Sequence, residues 1–496
     1  MKREELDGNS ALRGRMPSLT ESILVVIGIA VCVTFCVMKL KLDAHIPLFM
    51  CILAIVVLGL RLGNKWQLIE DGYVSAVNAA TSAFFILMMV GILIGVWMIS
   101  GVITTMIDYG LAILTPRTFL PATVLICSIV SLATGTSWGT AASIGVALIG
   151  VGAGLGIPMG YTAGAIVSGS YFGDKMSPLS DTTNLAPAVA GAKLYDHIKA
   201  MVPTTGISYV ITLAAFTFLT VTVDLSGSYD LSRIETIRSA LATAQRINPL
   251  LILPPVIVIG SAILKVPAIP GMMLGIVTGA ICGVFIQHVS LADIIVAAQY
   301  GYEGAISAQE YGKEIADMLN GLLTRGGLQN MMWTISLSWI AIGFGGMLEA
   351  IGYLHVILNA SIRFLSKTGN LVAATVLACI ATNILVGDQY IAIVLPGRLL
   401  KPAYEKVGLA PRMLSRTLED AGTLTSSLVP WSTCGAYMTG ALGVSTFVYA
   451  PYAILNWVNP IVAIVLAYMG WFVFYEDKSN NRNTKAEGQK IELEPD

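Results

Sequence analysis

The residues of this chain that could do chemistry are charged and hydroxyl side chains between apolar runs, and the densest group occupies residues 168–184. Asp174, Lys175 and Asp181 lie in it, although an ionised side chain at a bilayer centre costs about 2.5–3.5 kcal/mol. Pro178 removes a backbone donor and predicts a helix break. The oxygen ligands after the break are Asp181, Thr182, Thr183 and Asn184. The segment therefore indicates a site for a cation or a proton, with a surface loop as the structural alternative.

A second polar segment, residues 134–143, is too rich in glycines and hydroxyls for a regular lipid-facing helix. Free backbone groups at membrane depth must be buried in protein or line a wet cavity, so Gly135 predicts a helix break or a hairpin tip. The hydroxyls of Thr136 and Ser137 suit an alkali cation or the hydrogen bonds of a carboxylate. Close packing of small residues between helices is the alternative.

Asp388, which follows Gly387 in a third segment, is a lone carboxylate in apolar sequence. A carboxylate in such a place binds Na⁺ or a proton but not both at once, and this exclusion is the chemical basis of antiport. Together with Asp181 and Thr136 it forms the predicted Na⁺ site. The alternative is that Asp388 caps the helix that follows it.

The fourth polar segment, residues 418–435, lies on both sides of Pro430. Ser432 and Thr433 are hydroxyl ligand candidates just beyond this proline. Two roles fit Glu419 and Asp420, which precede it: ion chemistry, or a buried ion pair. The cations that could complete such a pair are Lys175 and Arg416.

Two stretches of the chain resemble each other at an offset of 252 residues, and residues 122–127 (ATVLIC) correspond to residues 374–379 (ATVLAC). About a dozen of roughly seventy positions are identical, where average composition predicts about one in fifteen by chance. The paired helix breakers are Gly135 with Gly387 and Pro178 with Pro430. Breaks at matching places in two apolar halves are typical of secondary transporters, whose site lies where the broken helices meet.

The offset does not fit the spans before residue 122, because Ser100-Gly101 aligns better with Gly345-Gly346, seven residues out of step. The duplication is therefore interpreted as old, with residues gained or lost between helices. The two halves are predicted to be inverted repeats, which requires an odd number of crossings in each.

Composition identifies the class of protein that must hold these segments. The chain has 496 residues, of which 55% are hydrophobic and 12% charged, whereas soluble domains are about 25% charged. Apolar runs long enough, or nearly so, to cross about 30 Å of hydrocarbon lie at residues 23–38, 46–60, 84–99, 206–221, 250–264, 271–285, 331–347 and 452–474. The sequence therefore predicts an all-α polytopic membrane protein with eleven to thirteen transmembrane or re-entrant helices, including hairpins and broken helices.

The chain divides into a polar lead (1–20), a first half (21–223), a polar linker (224–247), a second half (248–475) and a polar tail (476–496). Lysines and arginines before the first span favour a cytoplasmic N-terminus, and the tail is predicted to be disordered and cytoplasmic. We expect a multi-pass protein of the inner, cytoplasmic membrane. The chain has no basic tract that suggests a nucleic-acid partner.

Three motifs resemble the NhaC family of Na⁺/H⁺ antiporters: residues 135–140 (GTSWGT), 173–183 (GDKMSPLSDTT) and 419–426 (EDAGTLTS), the last followed by Pro430. The resemblance covers about residues 20–475. It implies a scaffold and a transport domain in each protomer, a homodimer, and an elevator-like movement of hairpins and interrupted helices. The family includes simple Na⁺/H⁺ exchangers, a malate-2H⁺/Na⁺-lactate antiporter and members thought to move amino acids.

The predicted function is exchange of Na⁺ for H⁺ by alternating access, with no cofactor besides the transported ions. The acidic balance of the four segments favours bare ions, and the breaks at Gly135, Gly173 and Gly387 allow non-helical backbone. Coupled transport of a small organic acid or an amino acid is the first alternative, because Lys175 and Arg416 could offset a carboxylate. A channel is disfavoured by the matched breaks. An enzyme is disfavoured because no nucleophile stands beside a histidine in the sequence.

Overall fold

Most of the described residues of this chain lie in helices. The computed structural model describes residues 12–40, 42–222, 231–304, 306–362 and 367–476, and these ranges contain two isolated β-bridges but no β-strand. The start of the polar lead, part of the linker and nearly all of the tail lie outside the described residues, and so does the predicted disorder of the tail.

The lengths and apolar character of the described helices are those of a multi-pass membrane protein. Seven are long and apolar enough to cross a bilayer, or nine if each of two bent helix pairs is one span. The pairs bend by 92° near residue 247 and by 52° near residue 453. Four shorter apolar helices bring the described part of the chain into the predicted range of eleven to thirteen. The predicted all-α polytopic fold is therefore confirmed.

The first half contains ten helices within the described residues. A break of two residues separates α6 from α7, and a break of four separates α8 from α9. In chain order the helices are α1 (Leu19–Met38), α2 (His45–Arg61), α3 (Trp66–Ala79), α4 (Thr81–Ile99), α5 (Val102–Ile113), α6 (Pro116–Thr134), α7 (Ser137–Gly154), α8 (Met159–Met176), α9 (Asp181–Ala190) and α10 (Leu194–Thr222).

The second half repeats this plan and adds short helices near residues 300–323. The helix α21 contains a π-helical turn at Glu419–Thr423 and ends with Leu424–Ser426. Helix α11 (Leu231–Ala244) lies in the linker. The helices of the second half are α12 (Leu253–Ile263), α13 (Ala268–Gln287), α14 (Leu291–Tyr300), α15 (Ala308–Tyr311), α16 (Lys313–Leu323), α17 (Leu328–Ile351), α18 (Tyr353–Ile362), α19 (Thr368–Val386), α20 (Gln389–Val407), α21 (from Pro411–Leu418), α22 (Thr433–Leu442), α23 (Thr446–Tyr449) and α24 (Ile454–Tyr468).

The offset of 252 residues reappears in the helix boundaries. The helices α6 and α19 begin and end at equivalent positions, as do α9 and α22. Gly135 and Gly387, which end α6 and α19, both have φ of 72°, a left-handed conformation that glycine adopts without steric cost. The duplicated pattern of breaks therefore exists in the structure, while the inverted orientation of the two halves stays a prediction.

The predicted seven-residue slip before residue 122 is wrong at the helix ends. The helix α4 ends at Ile99 and α17 at Ile351, which is again an offset of 252. Gly345 and Gly346 lie inside α17 and serve close packing. A Cβ on Gly346 would stand 2.3 Å from the carbonyl oxygen of Gly72. Gly345-Gly346, which permits close helix contact, thus resembles in sequence Ser100-Gly101, which follows the end of α4.

The short helices after the breaks exchange sides between two apolar cores. Ala186 and Ala190 of α9 pack in a core formed largely by α17 to α21 of the second half. Tyr437 and Leu442 of α22 pack in the core that contains α4 to α8 of the first half. The broken segments of both halves therefore meet between the two cores.

Candidate functional site

Four helix starts follow the breaks of the two halves, and each has a side-chain cap. Thr136 accepts a hydrogen bond from the backbone N–H of Gly139, and Asp388 accepts from those of Tyr390 and Ile391. Ser180 and Ser432 cap α9 and α22, each by accepting from the backbone N–H three residues on. These caps satisfy free backbone donors where the chain leaves helical geometry. Each helix start also carries about half a positive charge.

The two breaks of each half lie against each other. A Cβ on Gly135 would stand 2.7 Å from the Cβ of Leu179, just before the cap at Ser180. In the second half the backbone N–H of Thr433 donates to the carbonyl oxygen of Gly387 at 2.8 Å. The breaks predicted at Gly135 and Pro178 therefore lie together, as do those at Gly387 and Pro430. Gly173, also predicted as a break, lies inside α8.

Two aromatic residues connect the halves. The Tyr390 hydroxyl donates to Asp181 Oδ2 at 2.5 Å, which links the starts of α20 and α9. The Tyr437 hydroxyl donates to the carbonyl oxygen of Trp138 at 2.8 Å, and the two rings stack with centroids 4.1 Å apart. The Trp138 ring thus has one face against Tyr437.

Asp174 is buried at the end of α8 and points at the start of α7. Its Oδ2 accepts from the backbone N–H of Ser137 at 3.1 Å and from the hydroxyl of the same residue at 2.6 Å. Its Oδ1 is buried without a hydrogen-bond partner. Gly173 allows this approach, because a Cβ there would stand 2.3 Å from the backbone nitrogen of Leu132. Asp174 therefore caps a helix and still has one carboxylate oxygen free.

The predicted Na⁺ trio of Asp181, Asp388 and Thr136 is only partly brought together. Tyr390 contacts both carboxylates, since its hydroxyl donates to Asp181 and its backbone N–H to Asp388 Oδ1. Asp388 is 7% exposed, whereas Asp181 is exposed. Thr136 lies at the matching break of the other half, where its hydroxyl caps α7. The capping role considered for Asp388 is what its Oδ1 does, and its Oδ2 makes no hydrogen bond within the described residues.

Glu419 is fully buried in the π-helical turn of α21. Its Oε1 accepts from the Thr182 hydroxyl at 3.0 Å, and its Oε2 has no hydrogen-bond partner. A π-turn widens the helix and is frequent at functional sites. Glu419 therefore combines a free oxygen with direct contact to the break of the first half.

Asp420 forms the buried ion pair that was one of its two predicted roles. Lys175 Nζ donates to Asp420 Oδ1. The side chains of Lys175, Asp420 and Arg416 are all fully buried. Arg416 Nε lies 3.6 Å from Asp420 Oδ2. Asn459 and Thr204 also donate to Oδ1, at 2.8 and 3.1 Å. Both cations therefore face Asp420 in this conformation, while Arg416 Nε and Nη2 make no hydrogen bond with another described residue.

The remaining predicted ligands stabilise the breaks. The Thr183 hydroxyl donates to the carbonyl oxygens of Asp174 and Lys175 at 3.1 and 3.0 Å. Asn184 donates to the carbonyl oxygens of Pro178 and Ser180. The Ser432 hydroxyl donates to the carbonyl oxygen of Ser426. Beyond each proline, side chains thus replace the backbone hydrogen bonds that the break removes.

Sequence reasoning missed Asn383. Its Nδ2 donates to the carbonyl oxygen of Gly422 at 2.8 Å, and its Oδ1 is buried without a hydrogen-bond partner. The repeat could have revealed it, because Ser131 and Ser170 are the first-half equivalents of Asn383 and Gly422. The Ser131 hydroxyl likewise donates to the carbonyl oxygen of Ser170, at 2.5 Å. Both halves therefore place a polar side chain four residues before the break glycine.

Charge is unbalanced in this region. The four buried carboxylates outnumber the two buried cations, and Asp181 adds a further acid at the exposed edge. Burying an unpaired charge is costly enough that a group neutralises instead. The cluster therefore needs protons or bound cations. The four buried carboxylates are Asp174, Asp388, Glu419 and Asp420, and the cations are Lys175 and Arg416.

One solved structure matches nearly the whole chain at low sequence identity. The transporter MtrF of Neisseria gonorrhoeae, described as one of a class of antimetabolite efflux pumps, matches over 94% of this chain and 98% of its own. The sequence identity is 14% and the TM-score is 0.39. A likeness at this level establishes neither a shared substrate nor a shared mechanism.

Full-length relatives are much closer in sequence. The Na⁺/H⁺ antiporter NhaC of Alkalihalophilus pseudofirmus is 40% identical over 89% of this chain and 94% of its own. The malate-2H⁺/Na⁺-lactate antiporter of Bacillus subtilis is 38% identical over 95% and 98%. The arginine/ornithine antiporter ArcD of Halobacterium salinarum is 35% identical over 95% and 96%. All three are named as antiporters.

The family model described as the Na⁺/H⁺ antiporter family matches residues 169–471. This match includes the end of α8, both breaks of the second half and the buried acid cluster. Together with relatives of 35–40% identity over most of the chain, it identifies this multi-pass membrane protein as a member of the Na⁺/H⁺ antiporter family.

Proposed function

We propose that this protein exchanges Na⁺ for H⁺ across the membrane by alternating access, with the buried carboxylates as the shared binding groups. The observation that carries the proposal is the acid excess at the meeting point of four helix breaks. Four buried carboxylates face two buried cations. A group of this composition is stable when it holds protons or Na⁺, and each carboxylate that takes one excludes the other.

Oxygen atoms without partners provide the ligands. Asp174 Oδ1, Glu419 Oε2 and Asn383 Oδ1 are buried and have no hydrogen-bond partner. Hard cations are bound by carboxylate, amide, hydroxyl and carbonyl oxygens. The π-turn and the breaks add backbone carbonyl oxygens that would otherwise accept hydrogen bonds within a regular helix. Na⁺ would replace the missing partners of these oxygens, and a proton would neutralise the same carboxylates.

Asp181 suits the entry step. It is exposed, and its Oδ2 is held by the Tyr390 hydroxyl, whose backbone N–H donates to the buried Asp388. An ion that reaches Asp181 from water therefore meets a residue in contact with the interior site. The homodimer and the elevator-like movement implied by the NhaC resemblance belong to the same proposal.

The test is proton movement driven by an imposed Na⁺ gradient. Protein in liposomes with a trapped pH dye should acidify or alkalise the lumen according to the direction of the gradient. Asp174→Asn and Glu419→Gln should each lower the rate at least about tenfold, as removal of a charge-assisted contact worth about 1.5–3 kcal/mol predicts. Asp293→Asn, at an exposed cap of α14, is the matched control and should keep the rate.

Absence of Na⁺-driven proton flux from wild type would overturn the proposal, as would full activity in both cluster variants. A specific observation keeps the organic-acid alternative in view: four helix starts, with their partial positive charges, surround the same centre. Proton flux that requires malate, lactate or an amino acid in addition to Na⁺ would favour that alternative.

A further inference from the structure

A polar cavity lies apart from the buried acid cluster, at the C-terminal end of α22. Its volume is about 380 Å³, and it opens between the connection from α16 to α17, the first turns of α17 and the turn after α22. Within the described residues no Asp or Glu lines it, and its one charged residue is Arg325. The other polar residues of its wall are Thr324, Asn330, Thr334, Thr439 and Ser445.

Arg325 lacks a carboxylate partner. Its Nη1 donates to the carbonyl oxygen of Leu442, the last residue of α22, at 2.6 Å. That helix end carries about half a negative charge, so the guanidinium is only partly compensated. Among the described residues no carboxylate oxygen lies within 4.0 Å of it, since the ion pairs there involve other side chains.

The backbone around Arg325 is fixed in place. The carbonyl oxygen of Arg325 accepts from the backbone N–H of Tyr302 at 3.1 Å, and the N–H of Gly327 donates to the carbonyl oxygen of Gly91 at 2.7 Å. Gly443, with φ of 65°, leaves room for the guanidinium, because a Cβ there would stand 2.7 Å from Arg325 Cζ. The fold thus holds a cation at the wall of a cavity without supplying its anion.

We propose that this cavity binds a small carboxylate anion, with Arg325 as its cation. A guanidinium matches a carboxylate with two parallel hydrogen bonds, and the threonine and serine hydroxyls of the wall can serve further oxygens of a hydroxy acid. Since α22 has ten residues, its far end lies about 15 Å from the break at its start. The site is therefore distinct from the acid cluster, and the proposal does not rest on Na⁺/H⁺ exchange.

Isothermal titration of the purified full-length protein tests this assignment. Lactate, malate and chloride are titrated separately at constant Na⁺ and constant pH. Wild type should bind a carboxylate saturably, and Arg325→Gln should weaken that binding at least about tenfold. Arg398→Gln, at an exposed arginine, should not weaken it. Asp174→Asn should also keep it, because Asp174 belongs to the other site.

Ser445→Leu provides a variant that leaves Arg325 and its bond to Leu442 in place while filling the cavity mouth. It should weaken carboxylate binding even if Arg325→Gln fails to fold. The assignment is overturned by lack of saturable carboxylate binding in wild type, by unchanged affinity in Arg325→Gln or Ser445→Leu, by loss of binding in Asp174→Asn, or by binding of chloride alone.

Discussion

Lys175→Met is the sharpest perturbation of the buried ion pair. Lys175 and Asp420 belong to different halves, both side chains are fully buried, and the lysine ammonium has Asp420 as its ion-pair partner. The substitution keeps an unbranched side chain of similar length and removes the charge. It therefore tests how much the Lys175 charge stabilises the buried Asp420 carboxylate, with little change of packing.

The size of the effect follows from what remains around Asp420. Removal of one member of a buried pair costs about 3–5 kcal/mol. Arg416 Nε, at 3.6 Å from Oδ2, and the Asn459 amide, at 2.8 Å from Oδ1, still stabilise the carboxylate. We therefore expect a loss near the lower end, about 3 kcal/mol. Adding Asp420→Asn should recover part of it, with a coupling above about 1 kcal/mol.

The assay is unfolding of the detergent-purified protein, followed by tryptophan fluorescence, for the two single variants and the double variant. Lys313→Met, at an exposed lysine, is the matched control and should stay within about 0.5 kcal/mol of wild type. Strictly additive losses, or a Lys175→Met variant as stable as the control, would refute the view that this pair holds the halves together.

Three further predictions concern the breaks and the ion ligands. Gly135→Ala and Gly387→Ala both force alanine into left-handed backbone at about 1–2 kcal/mol, but Gly135→Ala should destabilise more in thermal unfolding, because its Cβ would clash at 2.7 Å whereas the nearest atom at Gly387 is 3.4 Å away. Tyr390→Phe removes the hydrogen bond to Asp181 and should raise the Na⁺ concentration for half-maximal exchange several-fold with little loss of stability. Asn383→Leu removes an unpartnered amide oxygen and should raise the Na⁺ concentration for half-maximal exchange. Asn370→Leu, at a half-buried site in the same helix, is the control and should raise it less.

Local chemistry made the breaks predictable. A glycine at a helix end followed by a hydroxyl or carboxylate marks one break of each half, and a proline two residues before a serine marks the other. Both signals lie within a few residues, and the repeat offset supplied each of them twice. Gly135, Gly387, Ser180 and Ser432 occupy the helix ends and caps that these signals indicate.

Side-chain pairing over long distances could not be read in the same way. Lys175 meets Asp420 across 245 residues, and nothing local distinguishes this choice from pairing with Glu419. Exposure is equally a tertiary property: Asp181 and Asp174 stand seven residues apart in one motif, yet the first is exposed and the second buried. The repeat offset at residue 99 was missed because glycine pairs serve helix contact as well as helix ends.

The exchange of α9 and α22 between the two cores bears on how the protein is made. A nascent chain that ends after α10 contains Ala186 and Ala190, but α20 and α21, which pack against α9, are not yet synthesised. The core around α6 to α8 is likewise incomplete until Tyr437 and Leu442 have been synthesised. Since neither half can complete its interior alone, assembly in the membrane finishes only when nearly the whole polypeptide has been inserted.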